Sequence, residues 1–113
     1  MTVADILTAV EGRIVVGDDQ DRTVSYGFAS DLMSDVLTVM QDDVVLITGL
    51  SNLQTIRTAT MADISVILLV RNKRATPDMH RAAEENGLIL LETAYSMFRV
   101  SGILYQIGLR PVF

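Results

Sequence analysis

The stretch ISVILLV, residues 64–70, decides the fold. Six of its seven side chains are apolar and four of them are β-branched, and a run of this length suits a strand better than a buried helix. Continuous apolarity marks a strand covered on both faces, which is the situation in parallel sheets flanked by helices. Working outward, VVLIT (44–48) and LILL (88–91) read the same way, and RIVV (13–16) is a short further strand. SYGFA (25–29) is an additional short strand or a loop.

Helical spacing fills the intervals. VADILTAV (3–10) sets Val3, Ile6, Leu7 and Val10 on one face behind Thr2 as cap. SDLMSDVLTVM (30–40) repeats Leu32, Met33, Val36, Leu37 and Met40 at helical intervals, with Ser30 as cap. SNLQTIRTATMAD (51–63) is a helix behind Ser51. TPDMHRAAEENG (76–87) has Thr76 as cap, Pro77 at the first position, Asp78 in the first turn and Gly87 past the end. SMFRVSGILYQIG (96–108) is the last helix, closed by Gly108. A helix follows each of the three apolar strands, which calls for right-handed crossovers. The expected fold is α/β: one domain over residues 1–113, in three α/β/α layers, with a mainly parallel sheet of four or five strands.

Composition narrows the function. Half of the 113 residues are apolar, enough for a core. The absence of cysteine rules out a disulfide framework, thiolate chemistry and zinc–cysteine sites. A formal net charge of −5 argues against a nucleic-acid surface. The N-terminal segment reads as neither a signal peptide nor a membrane span, and no later run reaches the ~20 apolar residues a transmembrane helix needs. The expectation is a cytoplasmic domain with no membrane partner.

In a parallel sheet, ligands bind outside the carboxyl ends of the strands. The loops assigned there are 17–23, 48–52, 71–76 and 92–96. In TGLSN, Gly49 allows close backbone approach, while Thr48, Ser51 and Asn52 present polar groups before a helix. RNKR brings Arg71, Lys73 and Arg74 together, a basic cluster able to hold phosphate or simply to be solvated. Thr93 and Ser96 follow the last apolar strand. The pairs Ser30-Asp31 and Ser34-Asp35 fall on the polar face of the predicted helix. Asp31 and Asp35 there repel by about 0.2–0.5 kcal/mol, and the helix dipole offsets this by about 0.3–1 kcal/mol per carboxylate. They read first as a capped helix start. As a site, Ser30, Asp31 and Ser34 suit a ribose hydroxyl, a base amine or a basic side chain.

Catalytic and metal readings are weak. Asp18, Asp19 and Asp21 lack the glycine and distant glutamate of a calcium loop. A receiver-type phosphoacceptor fails because the strand ends carry Thr48 and Arg71. His80, the single histidine, falls on a helix surface, and neither a Walker lysine loop nor G-x-G-x-x-G occurs. No catalytic residue, metal site or cofactor is assigned. In the last helix, Met97, Val100, Ile103, Leu104 and Ile107 form one face, and Phe98, Ser101, Gly102 and Tyr105 a second. A helix apolar on two sides is covered on two sides. Gly102 costs about 1 kcal/mol relative to Ala unless close packing offsets it. The second face is therefore assigned to a homodimer, the alternative cover being the 17–29 loop.

Four segments together resemble the DRTGG domain family: GFASDLMSDV (27–36), LITGLSNLQTIRTA (46–59), ILLVRNK (67–73) and LETAYSMFRVSGILY (91–105). Asp21-Arg22-Thr23 matches the first letters of the family name, followed here by Val24-Ser25 in place of two glycines. The resemblance implies a Rossmann-like fold similar to the N-terminal domain of HPr kinase. It implies a regulatory role, as in modules beside phosphotransacetylases and in pyrophosphatases with CBS domains, where a dimer sits near a bound adenine nucleotide. Short stand-alone versions accompany iron-hydrogenase gene sets in anaerobic bacteria. The family supplies no catalytic residue. The resulting expectation is a non-catalytic regulatory module that binds a small ligand such as a nucleotide at the strand ends and acts through a homodimer or partner protein. The alternative is a ligand-free interaction subunit of an iron-hydrogenase or other metabolic enzyme system. A small hydrolase or transferase using Asp31 and Asp35 is the third reading.

Overall fold

The apolar runs do form strands buried on both faces. All 113 residues are described in the computed structural model. The order is α1 (Val3–Val10), β1 (Arg13–Val16), β2 (Tyr26–Ala29), α2 (Met33–Val36), β3 (Val44–Thr48), α3 (Leu53–Met61), β4 (Val66–Leu69), α4 (Pro77–Glu85), β5 (Ile89–Glu92), α5 (Met97–Gln106) and β6 (Arg110–Pro111). Every residue of β3, β4 and β5 is buried.

The sheet has six strands in the order β1-β5-β4-β3-β2-β6, one more than the upper sequence expectation. Strands β2 to β6 run parallel, and β1 joins the β5 edge antiparallel. Residues 25–29 supply β2, and the chain end adds the two-residue β6. Two cores result, which makes three layers. Met33, Val36, Ile56, Ala59, Met79 and Ala83 bring α2, α3 and α4 against one face. Val3, Ile6, Val10, Val100 and Leu104 bring α1 and α5 against the other. Steps from β2 to β5 move one way across the sheet with their helices on one face. The step from β5 to β6 returns over the opposite face, as right-handed crossovers demand when direction reverses. Gly27 makes room for that return, since a Cβ there would lie 2.7 Å from Leu109 Cδ2.

Two helix starts follow the sequence signals. The Thr2 hydroxyl accepts from Asp5 N–H and the Asp5 carboxylate from Thr2 N–H, a capping box that also lowers the Asp5 pKa. Thr76 accepts from Met79 N–H ahead of Pro77. Two others differ. The helix expected over 30–40 is the single turn Met33–Val36, and Ser30 does not cap it. The Ser30 hydroxyl instead accepts from Leu32 N–H, a local turn that competes with helix. Asp31 therefore lies outside the helix, and its expected repulsion with Asp35 does not arise there. The third helix is capped by Asn52 and not by Ser51: Asn52 Oδ1 accepts from Thr55 N–H at 3.3 Å.

Leu68, fully buried in β4, tests the core directly. Leu68→Ala should cost about 2–5 kcal/mol. Urea unfolding should show the loss as a lower midpoint at unchanged slope.

Candidate functional site

The carboxyl ends of β2, β3, β4 and β5 share one edge of the sheet. The loop 17–23, assigned to this edge from the sequence, is not there. Because β1 is antiparallel, its end meets the start of β5, where Gly17, Asp18 and Asp19 share a cleft of about 320 Å³ with Gly87 and Ile89. The Asp21-Arg22-Thr23 segment follows it to that opposite edge: Arg22 donates to Ser65 Oγ, and Thr23 bridges to Thr2.

At the carboxyl edge, Asp31 is the organising side chain. Its Oδ1 accepts from the buried Thr48 hydroxyl at 2.9 Å and from Gly49 N–H at 2.7 Å. Thr48 Oγ1 in turn accepts from Leu50 N–H at 3.1 Å, so the loop after β3 is fixed to the loop after β2. Asp31 and Gly49 line a cleft of about 220 Å³ together with Val70, Arg71 and Met97. A Cβ on Gly49 would sit 3.7 Å from both Asp31 oxygens, so glycine keeps this wall open without being required by the backbone.

Arg71 and Asn72 both have left-handed backbones, with φ of 55° and 60°. Asn tolerates this region, whereas an arginine there is strained by about 1–2 kcal/mol. Two bonds impose the conformation: Arg71 N–H donates to Tyr95 C=O at 2.7 Å, and Asn72 N–H to Thr93 C=O at 2.9 Å. The loops after β4 and β5 are thereby joined where their helices diverge to opposite faces, the switch point of the sheet.

Most hydroxyls expected at a ligand serve the fold. Ser51 donates to Arg74 C=O, the buried Thr93 donates to Val10 C=O at 2.7 Å, and Ser96 caps α5 by accepting from Arg99 N–H. Ser34 is exposed on α2, and neither it nor Asp35 lines the cleft. Lys73 is half-buried in the β4–α4 loop, its N–H donating to Val70 C=O. The Tyr95 hydroxyl donates to Glu11 while the Arg99 guanidinium lies 3.7 Å from the centre of its ring.

Sequence reasoning missed Glu92. It is buried at the end of β5, where Arg13 pairs with it across the sheet. Glu92 Oε1 accepts from Arg13 Nε at 3.2 Å and Nη2 at 2.5 Å, and Oε2 accepts from Ala75 N–H at 2.7 Å. Arg74 Nη1 lies 3.5 Å from the same Oε1. The available signal was a glutamate directly after a continuous apolar strand, since a buried carboxylate there needs a cation.

On α5, Val100 and Leu104 face the core, while Phe98 is 80% and Tyr105 69% exposed. Ser101 and Tyr105 border a small cleft of about 170 Å³ against β2 and β6. A Cβ on Gly102 would meet nothing within 4 Å. The 17–29 segment, with its loop at the opposite edge and β2 in the sheet, leaves this face open.

The family model of the DRTGG domain matches residues 5–107. No curated protein matches the chain. Among solved structures, the chain is similar to the CBS and DRTGG domains of the regulatory region of a Clostridium perfringens pyrophosphatase, complexed with its activator, diadenosine tetraphosphate. The TM-score is 0.78 at 11% identity, over 98% of this chain and 48% of that one. The chain thus spans about half the length of this neighbour, and the likeness establishes the Rossmann-like α/β fold.

Tyr95 should titrate above the ordinary tyrosine value of about 10, chiefly because its hydroxyl is bonded to Glu11. With a raised folded pKa, that bond stabilises fully below about pH 10 and is lost as pH rises through the folded value. In an ultraviolet titration the raised Tyr95 step should vanish in Tyr95→Phe and move down in Glu11→Gln. Arg71→Gly relieves the left-handed strain, so its melting temperature should equal or exceed the parent's by a few degrees, of the order 1 kcal/mol gives.

Proposed function

Because the chain belongs to the DRTGG domain family, we propose that residues 1–113 are one non-catalytic regulatory domain. It binds a nucleotide-type ligand at the carboxyl edge of the sheet and acts through a homodimer or a partner protein. The observation that carries this reading is the Asp31–Arg71 cleft. Loops after β2, β3 and β4 converge there beneath the start of α5. Asp31 is held by Thr48 and Gly49, with its second oxygen taking no bond from the protein. A fixed carboxylate accepts from a ribose diol or a base amine, and a neighbouring guanidinium receives a phosphate. The edge requires no moving part to recognise such a ligand, as preorganisation favours.

Size sets the stoichiometry. At about 220 Å³ the cleft is below the ~300–1,000 Å³ of sites that enclose a whole drug-sized ligand. It suits one part of a nucleotide, with the remainder reaching a second copy or a partner. The exposed Phe98 and Tyr105, with Ser101 and Gly102 between them, offer the surface for that copy. The neighbour's activator is a nucleotide, which puts adenine nucleotides and diadenosine polyphosphates first in a ligand screen.

A second reading, a ligand-free interaction subunit of a metabolic enzyme system such as an iron hydrogenase, draws on the same exposed aromatic face. A thermal-shift series separates the two. Ligand at 100 times its Kd adds about 2.7 kcal/mol, and each kcal/mol moves the melting temperature of a domain near 100 residues by about 4–8 °C. The expected result is a shift that Asp31→Ala and Arg71→Ala each abolish; no shift from any nucleotide, with or without magnesium, leaves the interaction subunit. Light scattering should give twice the chain mass, reduced to one by Phe98→Asp with Tyr105→Asp; a monomeric parent would remove the homodimer.

A further inference from the structure

The Arg13–Glu92–Arg74 cluster is separate from the Asp31–Arg71 cleft: none of its three residues lines that cleft. Glu92 pairs in register with Leu69, whose side chain belongs to the core beneath α3 and α4, so the cluster lies on that face of the sheet. The cleft lies on the other face, under Met97 at the start of α5.

The charge balance of the cluster is uneven. The Glu92 side chain is 6% exposed, and a carboxylate so placed needs one cation and good hydrogen bonds. Arg13 and Ala75 N–H supply both, each on its own oxygen. Arg74 is therefore surplus to neutrality. Its guanidinium is drawn to 3.5 Å from Oε1 but makes no hydrogen bond there, and its side chain is 56% exposed. Arg13 is 52% exposed and likewise keeps donors that Glu92 does not use. Two guanidiniums are thus gathered on one oxygen atom, half in solvent, with free N–H groups. The backbone beneath them is rigid: Ser51 holds Arg74 C=O and Glu92 holds Ala75 N–H.

The surroundings favour an anion. Asp78, the nearest carboxylate on α4 in sequence, is engaged by Arg81. The loops and strand ends of this edge, leaving aside the first turns of the helices, carry Arg13, Arg71, Lys73 and Arg74 against Glu11, Asp31 and Glu92, in a chain whose net charge is −5. The cluster also sits beside the β4/β5 switch point, where doubly wound sheets take their ligands.

We propose that Arg13 and Arg74, gathered on Glu92, form a phosphate-binding fork distinct from the Asp31–Arg71 cleft. Its ligand class is a phosphate chain, inorganic or esterified, because paired planar guanidiniums present the spaced donors that phosphate oxygens accept. Glu92 keeps both guanidiniums close to one oxygen before any ligand arrives.

The test uses inorganic tripolyphosphate and the arginine Nε–H resonances of the full chain, at constant ionic strength. Saturable shifts at Arg13 and Arg74 are expected. Arg74→Ala should weaken binding at least tenfold while leaving the melting temperature of the free protein in place, since its side chain makes no hydrogen bond. Arg81→Ala, outside both sites, should leave tripolyphosphate affinity unchanged, and the Arg13 and Arg74 resonances should saturate together and independently of Arg71, which separates this site from the nucleotide cleft. Comparing tripolyphosphate with ATP distinguishes the sources: equal affinity assigns the fork to phosphate alone, and tighter ATP binding that Arg74→Ala still weakens assigns it to esterified phosphate. Unsaturable shifts, or an unchanged affinity in Arg74→Ala, would overturn the proposal.

Discussion

Every side chain of β3, β4 and β5 is buried, so both faces of the sheet must be covered. Most of the architecture follows from that constraint. Three successive right-handed crossovers place α2, α3 and α4 on one face. The other face stays exposed unless the chain reverses, and α5 does so after β5, with α1 beside it. The reversal separates the loops after β4 and β5, and such a division is where a ligand finds backbone groups from two directions. Here two backbone hydrogen bonds close the gap, from Arg71 and Asn72 to Tyr95 and Thr93. The two candidate sites lie to either side of it: toward α5, where Asp31 and Arg71 line one cleft, and toward α4, where Glu92 gathers its arginines.

The parts of the fold legible in the sequence are those governed by local physics. Apolar runs mark β3, β4 and β5 because burial on both faces leaves no polar positions. Thr2 and Thr76 mark helix starts because a cap needs only its own first turn. Direction is not local. RIVV is a strand by composition, but its antiparallel alignment depends on the Arg13–Glu92 pairing 79 residues apart. Assigning loop 17–23 to the ligand edge failed for that reason. The same limit explains α2. Helical spacing over 30–40 is real, yet Asp31 is held by Thr48 and Gly49, 17 and 18 residues away, and Ser30 turns the chain at Leu32. A tertiary bond to a carboxylate outweighs a propensity difference of a few tenths of a kcal/mol per residue.

The candidate site follows the same division. The sequence placed Asp31, Gly49 and Arg71 near the edge, and the structure lines one cleft with them. It did not separate hydroxyls that face solvent from those that brace loops, because Ser, Thr and Asn serve both roles equally well. Thr48, Ser51, Asn52, Thr93 and Ser96 all brace. Their bonds fix the loops and helix starts of this edge, Thr48 directly at the cleft through Asp31. Arg71 shows the opposite balance. Its backbone is strained, and a glycine would relieve it, but glycine carries no charge. Strain retained at a residue facing a cleft is the pattern expected where function sets the side chain.

The last helix bears the face proposed for a partner. Phe98 and Tyr105 expose two aromatic rings, seven residues apart, on one face of α5. Gly102 lies between them with open space above it and a helix cost of about 1 kcal/mol relative to Ala. Neither feature is offset within the chain. A backbone brought close over Gly102, with Phe98 and Tyr105 flanking it, would offset both at once. Met97, one residue before Phe98, also lines the Asp31–Arg71 cleft. An occupant of the cleft and an occupant of the α5 face would then touch the same turn of helix. Under the proposed reading that adjacency would couple the two, because a ligand that favours the paired state must contact something that differs between the paired and unpaired forms.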